Sequence, residues 1–291
     1  MKILLIGASG VLGNRLYNDT IKKKWNVLGT YCSRASEGLY YLDFKNRKSI
    51  EKIFRLFRPE VIVLAGGLTD VDQCQIKPKL AYEVNVKGTL DIIKKVKQYG
   101  AKLVFLSTDY VFDGKDGPYK EEDRPSPINV YGRTKLEAED AVKGLLKDYL
   151  IIRTSQLYGL DSRNKNFAVK IIHNMQDNKK VYAACDFYST PTYVGSLSCG
   201  IIELLEKGRS GIFNIAGTDF ISRCEYVNKI ADIFNLDKRF IKKVKLRDLK
   251  LRAPRPPKAG LNATKIRGIL KNILLSCTQG LNVFKKETRF L

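Results

Sequence analysis

A chain of 291 residues has room for one large domain or two modest ones with a real apolar interior. Its hydrophobic and charged fractions, 44% and 28%, are those of an ordinary globular protein, and no apolar run approaches the roughly 20 residues of a membrane span. The formal charge of +22 comes from lysines and arginines dispersed along the chain, which argues against specific nucleic-acid binding and for a basic surface that attracts anionic cofactors and substrates. Met1 leads almost directly into a strand, so neither a signal peptide nor a transit sequence is expected and a cytoplasmic location follows. Six scattered cysteines without a Cys-x-x-Cys pair predict reduced thiols. The single histidine, His173, falls in a polar helical stretch and is not expected to be catalytic.

Lys2 to Ile6 reads as a short buried strand, and Gly7-Ala8-Ser9-Gly10-Val11-Leu12-Gly13 follows at once. Glycines spaced three and three between a strand and a helix let the backbone turn tightly and approach a pyrophosphate at the helix N-terminus. Asn26 to Tyr31 reads as the second strand. An NAD site places an acid after it, but Tyr31-Cys32-Ser33-Arg34 has none; Ser33 and Arg34 suit a ribose 2′-phosphate, and so NADP(H). Val61 to Ala65 is a further buried strand running into Gly66-Gly67, where small residues let the backbone pass beside the cofactor.

Lys102 to Leu106 is a β-branched, apolar strand that ends in Ser107-Thr108. Ser126-Pro127 predicts the start of a helix, with Ser126 as N-cap. In that helix Tyr131 and Lys135 share one face. A cation there is expected to lower the phenol's pKa from about 10 toward working pH, so that Tyr131 can protonate a carbonyl oxygen held by Thr108. Tyr149 to Arg153 is another strand, after which the alternation loosens. Val194 to Glu206 reads as an amphipathic helix packing back on the first half, Ile212 to Ala216 as a short strand, and Ser222 as the cap of a helix to about Phe234.

Alternating strands and helices behind a glycine turn predict an α/β chain: a doubly wound parallel sheet of Rossmann type and a smaller mixed substrate-binding region. The expected division is 1–155 for the NADP-binding domain, joined by helix 193–207, and 156–291 mainly for substrate.

Ser-Thr-Asp-Tyr-Val-Phe-Asp-Gly (107–114) with Ser-Pro-Ile-Asn-Val-Tyr-Gly-Arg-Thr-Lys (126–135) resembles the extended short-chain dehydrogenase/reductases. The branch it resembles is dTDP-4-dehydrorhamnose reductase, which also contains the regulatory β-subunit of methionine adenosyltransferase. The resemblance runs from Met1 to about Leu270. It implies NADPH-dependent reduction of the 4-keto group of dTDP-4-dehydro-L-rhamnose, with Thr108, Tyr131 and Lys135 catalytic. It further implies Asp43 and Phe44 at the adenine, Asn85 supporting Lys135, and Thr69, Asp109, Tyr110, Gln156, Asn166 and Arg255 around the nucleotide sugar. Gln156 stands where many such reductases carry Trp, Lys258 where they carry Asn, and Asn262 where Asp is usual, so the substrate walls are altered. An NADP-binding regulatory subunit and a reductase or epimerase of another nucleotide sugar remain alternatives. A homodimer is the assembly considered, and no acidic cluster assigns a metal.

Overall fold

A computed structural model describes residues 1–33, 35–160, 166–271 and 274–288. Numbering only the strands of the main sheet, these are β1 (Lys2–Ile6), β2 (Asn26–Tyr31), β3 (Tyr40–Tyr41), β4 (Val61–Leu64), β5 (Lys102–Thr108), β6 (Tyr149–Thr154) and β7 (Gly211–Asn214). Their spatial order is β7-β6-β5-β4-β1-β2-β3, and every neighbouring pair is parallel.

Side-chain alternation along β1 shows why the sheet is covered on both faces. Ile3 and Leu5 join one buried cluster with Leu12, Leu16, Leu197 and Ile201, whereas Leu4 and Ile6 join another with Ile53, Ile92, Phe105 and Val142. The sheet is therefore doubly wound, as expected. The strand order reverses between β1 and β4, which opens a crevice beyond their carboxyl ends.

The Val194–Glu206 helix lies against the first helix, Val11–Lys22: Arg15 reaches the Tyr193 hydroxyl at 2.9 Å, and Ser198 donates to Asp19 at 2.7 Å. Beyond Thr154 the chain also returns to the main sheet as β7, paired with β6. The rest forms short strand pairs, among them Val181–Ala184 with Ile241–Val244 and Tyr188–Ser189 with Ile221–Ser222. Here the expectation of six reduced thiols is corrected. Cys185 and Cys224 are joined, because residues 39 apart in sequence meet with Cα atoms 4.9 Å apart; Cys32, Cys74, Cys199 and Cys277 are free. No described helix is long and apolar enough to cross a membrane.

Candidate active site

The glycine turn brings β1 close to its neighbour. Gly7 has φ +90°, and a Cβ there would lie 2.7 Å from the Gly66 amide nitrogen; a Cβ on Gly13 would lie 2.0 Å from the Gly7 carbonyl oxygen. The first helix begins at Val11 with no acid in its first turn. Its open N-terminus and side-chain-free approach fit the pyrophosphate of a dinucleotide.

Thr108 ends β5 and caps a single 3-10 turn, Asp109–Val111, accepting from the Tyr110 amide at 3.2 Å. Its hydroxyl donates to one Asp109 oxygen at 3.1 Å, while Ser155 donates to the other at 2.6 Å. Asp109 is buried, and burial pushes its pKa up to about 6 against the pull of Ser155 and Thr108. Burial also pushes the Tyr110 phenol up to about 12.

The catalytic helix is Val130–Leu145, so the predicted start at Ser126 is corrected. Ser126 spends its amide on the Val111 carbonyl at 2.9 Å. The cap is Asn129, which accepts from the Gly132 amide at 2.8 Å and donates to the Pro254 carbonyl at 3.0 Å. One turn past Lys135, Glu139 forms a fully buried two-pronged pair with Arg153 of β6, at 3.0 and 2.7 Å, which sets the helix against the sheet.

The expected coupling of Lys135 to Tyr131 is corrected as well. Burial raises the Tyr131 phenol, with the neighbouring Thr108 hydroxyl opposing, so Tyr131 stays protonated. Burial lowers Lys135 to about 7, and its ammonium lies over the Phe105 ring. Asn85 does not bond Lys135 directly. From a one-turn π-helix, Glu83–Lys87, it accepts from the Leu68 amide at 2.8 Å and donates to the Leu68 carbonyl and to the Thr134 hydroxyl, at 3.0 and 3.2 Å.

A cavity of about 440 Å³ gathers most of these residues. Gly10, Val11, Leu12, Gly13, Ala65 and Gly66 line it together with Thr108, Tyr131 and Lys135. Thr69, Asp109, Tyr110, Gln156 and Asn166 complete it, Gln156 in a left-handed conformation with φ +43°. Sequence reasoning missed Leu106, Ser107, Thr154 and Leu157, which also line it: Leu106 and Ser107 lie in β5 just ahead of Thr108, Thr154 ends β6, and Leu157 follows Gln156. Among the described residues the buried Ser107 and Thr154 hydroxyls have no hydrogen-bond partner.

Other expected residues stand outside these walls. Gly7, Ser9 and Gly67 shape the turns behind them. Ser33 is exposed just beyond β2, and Arg34 lies outside the described residues. Asp43 accepts from the Lys45 amide at 2.9 Å, and Phe44 packs against Gly66 and Gly88. Arg255 is held by Asp72 in a two-pronged pair at 3.0 and 2.9 Å and faces a separate depression of about 430 Å³ with Asp186 and Arg247. Among the described residues no group of three His, Cys, Asp or Glu is placed to hold a metal ion.

The model of one protein family, described as RmlD substrate binding domain, matches residues 1–289. Methionine adenosyltransferase 2 subunit beta of Xenopus tropicalis is 30% identical, over 92% of this chain and 82% of that protein. A solved structure of a hypothetical dTDP-4-dehydrorhamnose reductase from Sulfolobus tokodaii is 37% identical with TM-score 0.86, covering 95% of this chain and 97% of that one. The dTDP-4-dehydrorhamnose reductase of Bacillus anthracis, solved in complex with NADP, is 29% identical with TM-score 0.89, covering 99% and 100%.

Proposed function

The chain belongs to the RmlD substrate-binding-domain family, and from that membership we propose that it is an NADP(H)-dependent oxidoreductase reducing the 4-keto group of a dTDP-6-deoxyhexose, dTDP-4-dehydro-L-rhamnose first among them. The observation that carries the reading is one cavity with the open helix end at Gly10–Gly13 and the Thr108, Tyr131 and Lys135 side chains in the same walls.

Gly10 to Gly13, Ala65 and Gly66 would hold the cofactor's pyrophosphate and its flanks, and Lys135 its nicotinamide ribose. When bound, NADPH supplies hydride to the sugar carbonyl carbon. Thr108 orients the carbonyl oxygen by a hydrogen bond. Tyr131, kept protonated by burial, donates its proton to that oxygen as charge develops there. Asn85 acts one step removed: it ties the Leu68 backbone after β4 to the Thr134 hydroxyl, which lies between Tyr131 and Lys135. In this reading residues 1–155 with helix 193–207 form the cofactor domain, to which β7 adds the outermost strand, and 156–291 mainly bind substrate.

Purified protein supplied with NADPH and dTDP-4-dehydro-L-rhamnose is expected to oxidise the cofactor and form dTDP-L-rhamnose. Failure with this sugar but success with another 4-keto nucleotide sugar changes the substrate only. The likeness to methionine adenosyltransferase 2 subunit beta supports a second reading, a cofactor-binding partner protein. NADPH binding without turnover of any nucleotide sugar, together with a stable complex in extract, selects it.

A further inference from the structure

A hydroxyl carries one proton, and Thr108 has already given its own away. It accepts from the Tyr110 amide at 3.2 Å and donates to one Asp109 oxygen at 3.1 Å. A substrate carbonyl oxygen placed against it would meet a lone pair, and a carbonyl oxygen can only accept. The amide cannot change direction, so the carboxyl of Asp109 decides where the Thr108 proton points. Thr108, Asp109 and Tyr131 line the same cavity, and Asp109 itself is buried.

The second Asp109 oxygen fixes the rest. It accepts from the Ser155 hydroxyl at 2.6 Å, and Ser155 in turn accepts from the Thr190 amide at 3.4 Å. Among the described residues the Ser155 proton has no other acceptor, so Ser155 remains the donor to Asp109. A proton on the Asp109 carboxyl is therefore confined to the oxygen facing Thr108. There it would donate across the 3.1 Å contact, occupy the free Thr108 lone pair and release the Thr108 proton into the cavity. Burial makes that acid accessible. It pushes Asp109 up to about 6, against the hydrogen bonds of Ser155 and Thr108 and the charge of Arg223, which opens the Arg223–Phe234 helix. The Tyr110 and Tyr131 phenols beside it are both raised by burial and stay neutral over this range, while Lys135, on the helix of Tyr131, falls to about 7.

Resting on the reductase reading above, we propose that Asp109 is a positioning residue for Thr108: as a carboxylic acid it turns the Thr108 proton toward the substrate carbonyl oxygen, and as a carboxylate it draws that hydrogen bond to itself. The acid's proton comes from water and remains on Asp109 through hydride transfer, while Tyr131 supplies the proton that the product keeps. A bound ketone favours the acid, so binding shifts Asp109 toward its protonated form.

The test compares wild type with D109N, in which the amide nitrogen faces Thr108 as a permanent donor while the amide oxygen accepts from Ser155. The D109N to wild-type ratio of kcat/KM for dTDP-4-dehydro-L-rhamnose is expected to be constant below about pH 5 and to rise about tenfold per pH unit above about 6. Taking the ratio cancels the titration of Lys135, which both proteins share. Calorimetry of the NADP+-loaded protein, which cannot transfer hydride, should show the ketone taking up a proton near neutral pH in wild type and not in D109N. A ratio independent of pH, or equal proton uptake by both proteins, overturns the proposal and leaves the reductase standing. Asp109-dependent proton uptake in a protein that turns over no 4-keto nucleotide sugar keeps the proposal and removes the reductase. If wild type neither binds nor reduces the ketone, both fall. NADP affinity reports an intact fold. If D109N does not fold, S155A, which strips Asp109 of a hydrogen bond that holds its pKa down, must move the Asp109 limb of the pH profile to higher pH. An unmoved limb would sink the proposal.

Discussion

The Lys135 ammonium lies 4.0 Å from the centroid of the Phe105 ring, with its side chain buried and no carboxylate in hydrogen-bond contact among the described residues. An aromatic face compensates only part of the lost hydration. This is why burial, opposed by the more distant Glu139 and by Cys74, brings the lysine down to about 7.

Stability of the cofactor-free protein must then depend on pH through Lys135. Below pH 7 folded and unfolded chains both carry the charge, and the fold bears the cost of burying it. Between about 7 and 10.5 the folded lysine has lost its proton and the unfolded one has not, so stability rises with pH across that window. Lys135→Met should be more stable than wild type at pH 6.5, by on the order of a few kcal/mol, with the advantage shrinking toward pH 10. Urea unfolding of both proteins across that range measures it; a constant difference would place the lysine in water.

Asp109 acts with the opposite slope in a lower window. Its folded pKa, about 6, lies above the ordinary 3.8, so its contribution is present at low pH and is lost as pH rises from about 4 through 6. Asp109→Asn keeps an acceptor for Ser155 and removes the titration. Its melting temperature should climb relative to wild type from pH 4 to 7 and run parallel above that. Parallel curves throughout would mean that the carboxyl titrates normally.

Asp72 and Arg255, 183 residues apart, tie the Val71–Ile76 helix to the substrate region. Both are mostly shielded, and Asp72 also accepts from the Ala253 amide at 2.9 Å. A double-mutant cycle of Asp72→Ala and Arg255→Ala should give a coupling of about 1–2 kcal/mol. A coupling near zero in urea unfolding would reduce the pair to a surface contact.

Tyr131→Phe removes the proposed proton donor and little else. Turnover is expected to fall by roughly 10²–10⁴-fold with NADPH affinity retained. Steady-state rates beside cofactor titration check this, and undiminished turnover would move the donor role to another group.

What the sequence determined by itself was whatever short-range geometry dictates. Gly7 and Gly13 are legible because a strand-to-helix turn packed this closely admits no Cβ, and Tyr131 and Lys135 because residues four apart share a helix face. The alternation of Ile3 and Leu5 against Leu4 and Ile6 follows from the two-residue period of a strand with both faces covered. Tertiary structure alone decided where charge would be buried and what would answer it. Nothing near Asn129 in sequence reveals that the Pro254 carbonyl anchors it as the cap in place of Ser126, and nothing near Cys185 points to Cys224. Lys135 loses its water to Phe105, and Arg223 its water to Phe167 and Phe187, through contacts made by distant segments. Desolvation depends on all the atoms packed around a group, and those atoms come together only when the chain folds.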